Sequence, residues 1–328
     1  MKRRAFGRQI VSVAVGAAML VALPATAPAQ QPGRAITIVV PFTPGSGPDI
    51  LARLIGEEIQ ARWSQPVVVD NKPGASGNIG AQMAARAAPD GHTILMTTSP
   101  FTNNASLFKT LPYDPVTSFD PIVLVATGTL ALTVHPSLPV KTTKEFIAYV
   151  KERPGQLNYG SPGAGTPHHL AMELFKLQTK TDLKHIPYRG SAGATQDLAG
   201  GHVSAGFQVV HVALPLVQAG QFRFLGVAAK ERVPAAPDVP TLDSEGVTGF
   251  DVPIWYGVLA PAKTPPDILT RYNTTLNEIL RSPQVIEKLG KQGLVTAGGT
   301  AASFGAFIKS ERDKWEKVVT EAGIAKVE

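Results

Sequence analysis

The chain contains no cysteine among its 328 residues. This absence excludes disulfide bonds, thiolate metal sites, cysteine nucleophiles and a lipid anchor on an N-terminal cysteine. A chain of this length can form stable cores without such cross-links, and its length favours two modest domains over one. Hydrophobic residues make up 44% of the sequence, which is enough to fill sizeable cores.

Acidic residues are missing from positions 1–29, although four basic residues lie there. The whole chain carries a net charge of +6, but the remainder after position 29 has 27 basic and 25 acidic residues and a charge of only +2. Nucleic-acid binding requires Lys and Arg clustered on one face, and no such run follows Arg34. We therefore expect no nucleic-acid partner.

A long hydrophobic run is also missing. The uncharged stretch from Ile10 to Leu23 has 14 residues, fewer than the roughly 20 that span a bilayer. It follows a basic start and precedes Ala27-Pro28-Ala29, a small-x-small cleavage pattern. These three features predict a cleavable signal peptide over residues 1–29 and export of the mature chain, with a membrane anchor as the alternative.

Short β-branched runs alternate with helical patterns through the rest of the chain. Helical spacing of apolar residues begins after Pro48 and recurs after each Gly-rich turn. The runs predicted to be strands are 35–41, 66–70, 93–97, 130–134, 157–160, 185–187, 203–209, 222–228 and a segment from 252. This alternation predicts an α/β fold with mostly parallel strands covered by helices. The two C-terminal helical patterns carry apolar stripes and no candidate chemistry, so we expect them to pack onto the first lobe.

Four loops rich in Gly, Ser and Thr each join a predicted strand to the start of a helix. They are Phe42–Gly47, Pro73–Gly77, Gly160–Thr166 and Tyr188–Gly193. The first turn of a helix leaves backbone N–H groups unpaired and carries partial positive charge, so such loops can bind anions. Taken singly, each loop is better explained as a tight turn that leads into a capped helix. Ligands of open α/β sheets lie at the carboxyl ends of the strands, where all four loops would meet.

Four ordered motifs resemble those of one known family. The motifs are Pro41–Arg53, Val67–Gly80, Tyr159–Leu170 and Ile186–Ala194, and the resemblance covers essentially the whole mature chain. They are similar to the substrate-binding proteins of tripartite tricarboxylate transporters, also called Bug proteins. The resemblance implies a type II periplasmic binding protein fold, with two α/β lobes around a ligand cleft. Lobe 1 would comprise residues 30–130 and a C-terminal return over 253–328, and lobe 2 residues 131–252.

The resemblance also implies a function and a set of site residues. A periplasmic monomer without a cofactor would capture a small organic carboxylate and present it to the membrane subunits of the transporter. Loop amides and hydroxyls would hold the ligand, and no residue would be catalytic. The ligand-binding residues carried over from the motifs are Phe42, Thr43, Ser46, Ser76, Gly77, Gly165, Thr166, His168, Tyr188 and Gly190.

Gln208 marks a departure from the family pattern. Many members have Asp at this position, after Phe207, and Asp can pair with a ligand ammonium group. A neutral amide offers no such charge. With Gln208 included among the ligand-binding residues, we expect a dicarboxylate, an aromatic acid or an amide rather than an α-amino acid.

Three alternatives remain open at this point: a hydrolase, a metal site and a receptor for a signalling kinase. Ser161 with His168 or His169 could form a hydrolytic site, although the surrounding loop lacks the G-x-S-x-G pattern. His169 and Glu173 lie one helical turn apart, but zinc requires three or four converging ligands. No G-x-G-x-x-G follows a strand, which argues against dinucleotide binding. A ligand-sensing receptor for a signalling kinase would bind its ligand in the same way as a transport receptor.

Overall fold

The computed structural model describes residues 33–188 and 190–326. The predicted signal peptide, 1–29, lies outside these residues. The predicted α/β architecture is confirmed: strands and helices alternate, and the strands form a sheet of two halves joined through one long strand. The expectation of mostly parallel strands is wrong, because the long strand pairs antiparallel with all of its neighbours. In the described part of the chain, no helix has the length and apolar character needed to cross a membrane.

The first half of the sheet is built on three parallel strands. Strand β1 (Ile36–Val40) lies between β2 (Val67–Asn71) and β3 (Thr93–Thr98). Its sequence, Ile-Thr-Ile-Val-Val, is buried except for Thr37, as expected of a central strand covered on both faces. Strand β9 (Pro253–Pro261) continues the sheet antiparallel to β3.

Among the described residues, six α-helices belong to this half. Helix α1 follows β1, α2 follows β2 and α3 follows β3, whereas the last three helices come from the C-terminal part of the chain. Helix α8 packs against α1, and α10 packs against α3. The bounds are α1 (Gly47–Trp63), α2 (Asn78–Ala85), α3 (Pro100–Leu107), α8 (Pro266–Arg281), α9 (Pro283–Lys291) and α10 (Ala301–Glu321).

The second half of the sheet repeats the pattern. Strand β5 lies parallel to β6 on one side and to β7 on the other, while β8 pairs with the long strand β4. The strands are β4 (Phe119–Val134), β5 (Asn158–Ser161), β6 (Lys184–Pro187), β7 (Ala205–Val209) and β8 (Arg223–Val227). The helices are α4 (Thr143–Lys151), α5 (Pro167–Thr179), α6 (Ser191–Ala199) and α7 (Val210–Gln218).

Strand β4 connects the two halves. Residues 119–129 pair with β9, and residues 130–134 pair with β7 and β8. The returning chain runs beside it, because the N–H of Ala228 donates to the carbonyl of Leu130 and the N–H of Val252 donates to the carbonyl of Ala228. Strand β10 (Leu294–Thr296) pairs with β4 at this crossing. Two adjacent crossings therefore link the halves.

The sequence predicted only the last third of β4, residues 130–134. The structure extends the strand back to Phe119 and gives it 16 residues. Pro121 and Gly128 interrupt the strand pattern, and the register with β9 shifts twice, between Pro121 and Val123 and between Leu124 and Ala126. Such irregularities tolerate residues that a regular strand disfavours, which hid the first part of the strand.

Candidate ligand-binding site

A cleft of about 910 Å³ lies between the two halves of the sheet. The loops that follow β1, β2, β5 and β6 all reach it, so the carboxyl ends of parallel strands from both halves meet there. Residues from β9, β10 and the start of α7 complete the wall near the strand crossing. Its volume suits a small metabolite.

The described residues that form the wall of the cleft carry no charged side chain, since none of them is Asp, Glu, Lys or Arg. Instead, the first turns of α1, α5, α6 and α7 line the cleft, together with the loop that leads into α2. Helix N-termini offer unpaired N–H donors and partial positive charge. The cleft can therefore stabilise an anion without a cationic side chain.

Asp49 organises the first loop. This side chain is 2% exposed, and its Oδ2 accepts from the N–H of Gly45 at 2.8 Å. Asn71 donates to Asp49 Oδ1 at 3.0 Å and to the carbonyl of Phe42 at 3.1 Å, which ties β2 to the loop. Burial acts to raise the pKa of Asp49, but the hydrogen bonds from Arg53, Gly45 and Asn71 outweigh it and lower the pKa. The carboxylate is thus ionised and holds the loop in place.

The second loop has an unusual backbone. Ala75 and Ser76 have φ values of 46° and 54°, in the left-handed region that non-glycine residues rarely adopt. Asn104 of α3 donates to the carbonyl of Ser76 at 3.1 Å and to Asn78 Oδ1 at 2.7 Å. Gly77 must be small as well as flexible, since a Cβ there would lie 3.2 Å from Cζ of Phe42. Backbone strain of this kind is concentrated at functional sites.

The third loop leads into α5 through a capped turn. Thr166 Oγ1 accepts from the N–H of His169 at 3.4 Å and donates to the carbonyl of Gly163 at 2.7 Å. His168, in the first turn, is 8% exposed and lines the cleft. Burial lowers the pKa of His168 to about 4, so its imidazole is neutral near pH 7. Its Nδ1 is buried without a hydrogen-bond partner in the described structure, which leaves it available to a ligand or a water molecule.

The fourth loop is held by Tyr188, whose hydroxyl donates to Asp197 Oδ2 at 2.5 Å. Burial, together with this carboxylate, raises the pKa of Tyr188 to about 12. The backbone of Gly193 packs closely against the Tyr188 ring, since a Cβ there would lie 3.1 Å from Cδ1 of Tyr188. The phenol ring therefore forms a fixed wall of the cleft beside the first turn of α6.

The structure places nine of the eleven predicted ligand-binding residues in the lining of this one cleft. These nine are Phe42, Thr43, Ser46, Ser76, Gly77, Thr166, His168, Tyr188 and Gly190. Motifs separated by up to 148 positions in the sequence thus meet in space. Their contact with a ligand stays a prediction.

Gly165 and Gln208 are not among the described residues that line the cleft, and their contact with a ligand also stays a prediction. The N–H of Gly165 donates to His169 Nδ1 at 3.2 Å, and a Cβ at Gly165 would lie 2.7 Å from Leu107, so this residue faces α3. Gln208 is 5% exposed, and its amide oxygen accepts from Thr195 of α6 at 3.2 Å. Helix α6 therefore covers Gln208.

Sequence reasoning missed the wall near the strand crossing. His211, Ile254, Tyr256, Gln292 and Leu294 all line the cleft. The Nδ1 of His211 is buried without a partner in the described structure, and a Cβ at Gly293 would lie 2.1 Å from the Cβ of His211. The one available signal was the position of His211 two residues after a predicted strand. The other residues reach the cleft only because β9 and β10 pair with β3 and β4.

The hydrolytic and metal-binding alternatives gain no support from the geometry. Ser161 is completely buried, and its Oγ lies 2.6 Å from Nε2 of His185 rather than beside His168 or His169. Glu173 accepts from the hydroxyl of Tyr159 at 2.5 Å and from Nζ of Lys176 at 2.9 Å. Within the described residues, no three His, Asp or Glu side chains are grouped to hold a metal ion.

Comparison with known proteins identifies the family. Residues 51–324 match the family model "Tripartite tricarboxylate transporter family receptor". The chain is 35% identical over 294 residues to the protein BugT of Bordetella pertussis, covering 89% of this chain and 90% of that protein.

Solved structures of similar proteins support the same family assignment. The chain superposes with a TM-score of 0.83 and 37% identity on R. palustris Rpa4515 with adipate, covering 91% of this chain and 100% of that one. For MatC from Rhodopseudomonas palustris with bound malate, the TM-score is 0.79 with 32% identity, over 88% of this chain and 100% of that one. The predicted periplasmic binding protein fold is confirmed. The chain belongs to the receptors of the tripartite tricarboxylate transporter family and is a solute-binding protein.

Proposed function

We propose that this receptor binds a small organic carboxylate in the cleft between its two lobes and delivers it unchanged to the membrane subunits of its transporter. One observation carries the proposal: helix N-termini from both halves open onto a single cleft whose described lining holds no charged side chain. Backbone N–H groups at such ends bind carboxylates directly. The adipate and malate of the similar R. palustris proteins support a carboxylate here too.

The same lining argues against an α-amino acid as ligand. An ammonium group in a partly dry cleft needs a carboxylate partner, because an unpaired buried charge is costly. No described residue of the lining supplies one. Gln208 is buried and accepts from Thr195 instead of lining the cleft, so the argument rests on the described part of the wall. The favoured ligands are dicarboxylates and carboxylates with an aromatic or amide body.

Closure of two lobes would trap the ligand. We assign residues 30–130 and 253–328 to lobe 1 and residues 131–252 to lobe 2, because the two adjacent crossings lie near Leu130 and Val252. A ligand that contacts both lobes favours the closed form, which the membrane subunits would recognise. We further propose that the receptor is a monomer without catalytic activity, exported to the periplasm by a signal peptide over residues 1–29.

Binding can be tested with a panel of acids that includes adipate, malate, benzoate and glutamate. A ligand of the native state raises the melting temperature by mass action, and calorimetry then gives the dissociation constant. We expect at least one acid without an ammonium group to raise it, and glutamate to have no effect. A receptor that responds to none of the carboxylates, or that hydrolyses an ester, would refute the proposal.

A matched pair of variants locates the site. Val212 lines the cleft and is 47% exposed, whereas Val68 is 52% exposed on β2 and does not line it. Val212→Glu places a negative charge where the ligand's carboxylate would be bound, so we expect it to abolish the thermal shift. Val68→Glu adds the same charge at similar exposure and should retain the shift. Equal effects of the two substitutions would place the binding site elsewhere.

A further inference from the structure

Three rings are stacked behind the third loop, Gly160–Thr166. The ring of His185 lies between those of Tyr159 and His169, with centroid distances of 4.8 Å and 4.2 Å and interplanar angles of 15° and 20°. The three residues come from β6, β5 and α5, respectively, so the stack joins the elements on either side of the third loop. His169 is 6% exposed, so it packs inside the protein.

Both imidazoles hold the third loop by hydrogen bonds. Nδ1 of His169 accepts from the N–H of Gly165 at 3.2 Å, so this nitrogen carries no proton. Nε2 of His185 lies 2.6 Å from Oγ of Ser161, which in turn accepts from the N–H of Gly163 at 3.2 Å. The stack therefore fixes both ends of a loop whose Pro162, Gly163, Ala164 and Thr166 line the cleft.

The charged groups around the stack do not favour a protonated imidazole strongly. Glu173 acts to raise the pKa of both histidines, but its carboxylate is already paired with Lys176 and with the Tyr159 hydroxyl. Lys176 opposes protonation of both, and a charge on His185 opposes protonation of His169. Burial is the largest effect and lowers the pKa of each histidine to about 4. Both rings are thus neutral near pH 7.

Protonation of His169 is incompatible with the observed geometry. A proton on Nδ1 would face the N–H of Gly165 and replace an attraction with a repulsion. Two imidazolium rings with centroids 4.2 Å apart would also repel each other. Adding a proton therefore forces either the third loop or α5 to move.

We propose that His169 and His185 are positioning residues for ligand binding: the neutral stack holds the third loop in the conformation that binds the carboxylate, and a proton on His169 releases it. His169 does not touch the ligand; it acts through the backbone of Gly165. The effect on affinity rests on the proposed function, whereas the state of the ring can be measured without any ligand.

The first test is nitrogen NMR of the imidazole rings in the full exported chain without ligand. At pH 7 we expect the Nδ1 resonance of His169 to have the shift of an unprotonated, hydrogen-bond-accepting nitrogen, and the amide of Gly165 to shift when His169 is protonated near pH 4. A protonated Nδ1 at pH 7 would overturn the proposal, and so would a Gly165 amide resonance that does not shift when His169 is protonated. This test is decisive even if no acid binds.

The second test measures the affinity for adipate, or for malate where adipate gives no thermal shift. His169→Phe keeps the ring and removes the acceptor, so we expect about 2- to 10-fold weaker binding at pH 7, equivalent to one lost hydrogen bond. His169→Asn keeps an acceptor in place of Nδ1 but cannot take up a proton there. It should restore binding and remove the part of the pH dependence between pH 7 and 4 that is specific to His169.

His135→Asn is the matched control. Nδ1 of His135 also accepts from a backbone N–H, that of Ser137 at 3.2 Å, but neither residue lines the cleft. This variant should bind with the affinity and pH profile of the unmodified chain, and the ionisation of the ligand itself is common to all four proteins. Identical affinities and pH profiles for His169→Phe and His135→Asn, in variants whose circular dichroism shows native folding, would refute the positioning role. Failure of the unmodified chain to bind any acid would instead refute the proposed function.

Discussion

Replacing Asp49 by Asn should destabilise the receptor far more than removing its cationic partner. The side chain of Asp49 is almost fully buried, and its two oxygens accept from Gly45, Arg53 and Asn71. Asparagine has the same shape, but its NH₂ group cannot accept a hydrogen bond. If the amide keeps its oxygen toward Asn71, then the N–H of Gly45 loses its acceptor and faces another donor.

The magnitude follows from these contacts. A hydrogen bond to a charged group contributes about 1.5–3 kcal/mol, and a buried donor left unpaired costs about 1–3 kcal/mol. Because the bond to the exposed Arg53 adds little, we expect Asp49→Asn to lower the free energy of unfolding by about 2–4 kcal/mol. Urea unfolding followed by tryptophan fluorescence should show a lower midpoint with an unchanged slope.

Arg53→Gln is the control for this experiment. The Arg53 side chain is 53% exposed, so solvent replaces much of its interaction with Asp49, and the loss should be clearly smaller than for Asp49→Asn. The difference in free energy of unfolding between the unmodified chain and Asp49→Asn should also decrease as the pH falls below 3.8. Below that pH the carboxyl group binds a proton in the unfolded state, whereas its lowered pKa keeps it ionised in the native state. Equal losses for the two variants would show that the ion pair, rather than the bonds to the loop, stabilises this region.

Three further substitutions test other contacts. Thr166→Val removes the cap of α5 and should lower the free energy of unfolding by about 1 kcal/mol, whereas Thr166→Ser should not; equal urea midpoints would contradict this. Gly257→Ala places a Cβ 2.1 Å from Cζ of Phe304 and should lower the free energy of unfolding by about 1–3 kcal/mol or more. Adding Phe304→Leu should restore part of this stability, and no restoration would show that the clash lies elsewhere. His168 stays neutral when buried and its pKa is about 4, so the unfolded state binds the proton first and stability falls as the pH drops from 6.5 toward 4. His168→Gln should remove up to ~1.4 kcal/mol per pH unit of that slope in urea titrations, and an unchanged slope would contradict the argument.

The sequence predicted the parts of the fold whose pattern is local. Strands such as β1 consist of β-branched residues, and α1 begins with Pro48 and Asp49, so propensity and capping both indicate these elements. Helix α3 was missed because its buried side chains include Thr102, Asn103 and Asn104, which form no apolar stripe. Asn104 is satisfied by the distant Asn78 and Ser76, a tertiary contact that no local pattern encodes.

The site shows the same limit. The four Gly-rich loops could be found because helix starts and tight turns leave a local signature, and nine of the predicted residues line one cleft. The same motifs also included Gly165, which faces α3. A motif does not show which residues of a loop face the cleft, because two residues of one loop can face opposite ways. Tyr256 and Leu294 could not be found, because they reach the cleft through antiparallel pairing of β9 and β10 with distant strands.

A cleft whose described lining holds no charged side chain suits a receptor that must release what it binds. A buried Arg or Lys would be paired when the ligand is present and unpaired when it leaves, and an uncompensated buried charge costs several kcal/mol. Helix N-termini avoid that cost, since their N–H groups are hydrated in the open state and each contributes only about 0.3–2 kcal/mol toward an anion. Affinity then comes from several loops acting together, and it depends on where these loops lie. Residues that never touch the ligand, such as Asp49 behind the first loop and His169 behind the third, should therefore control binding as strongly as the residues of the wall.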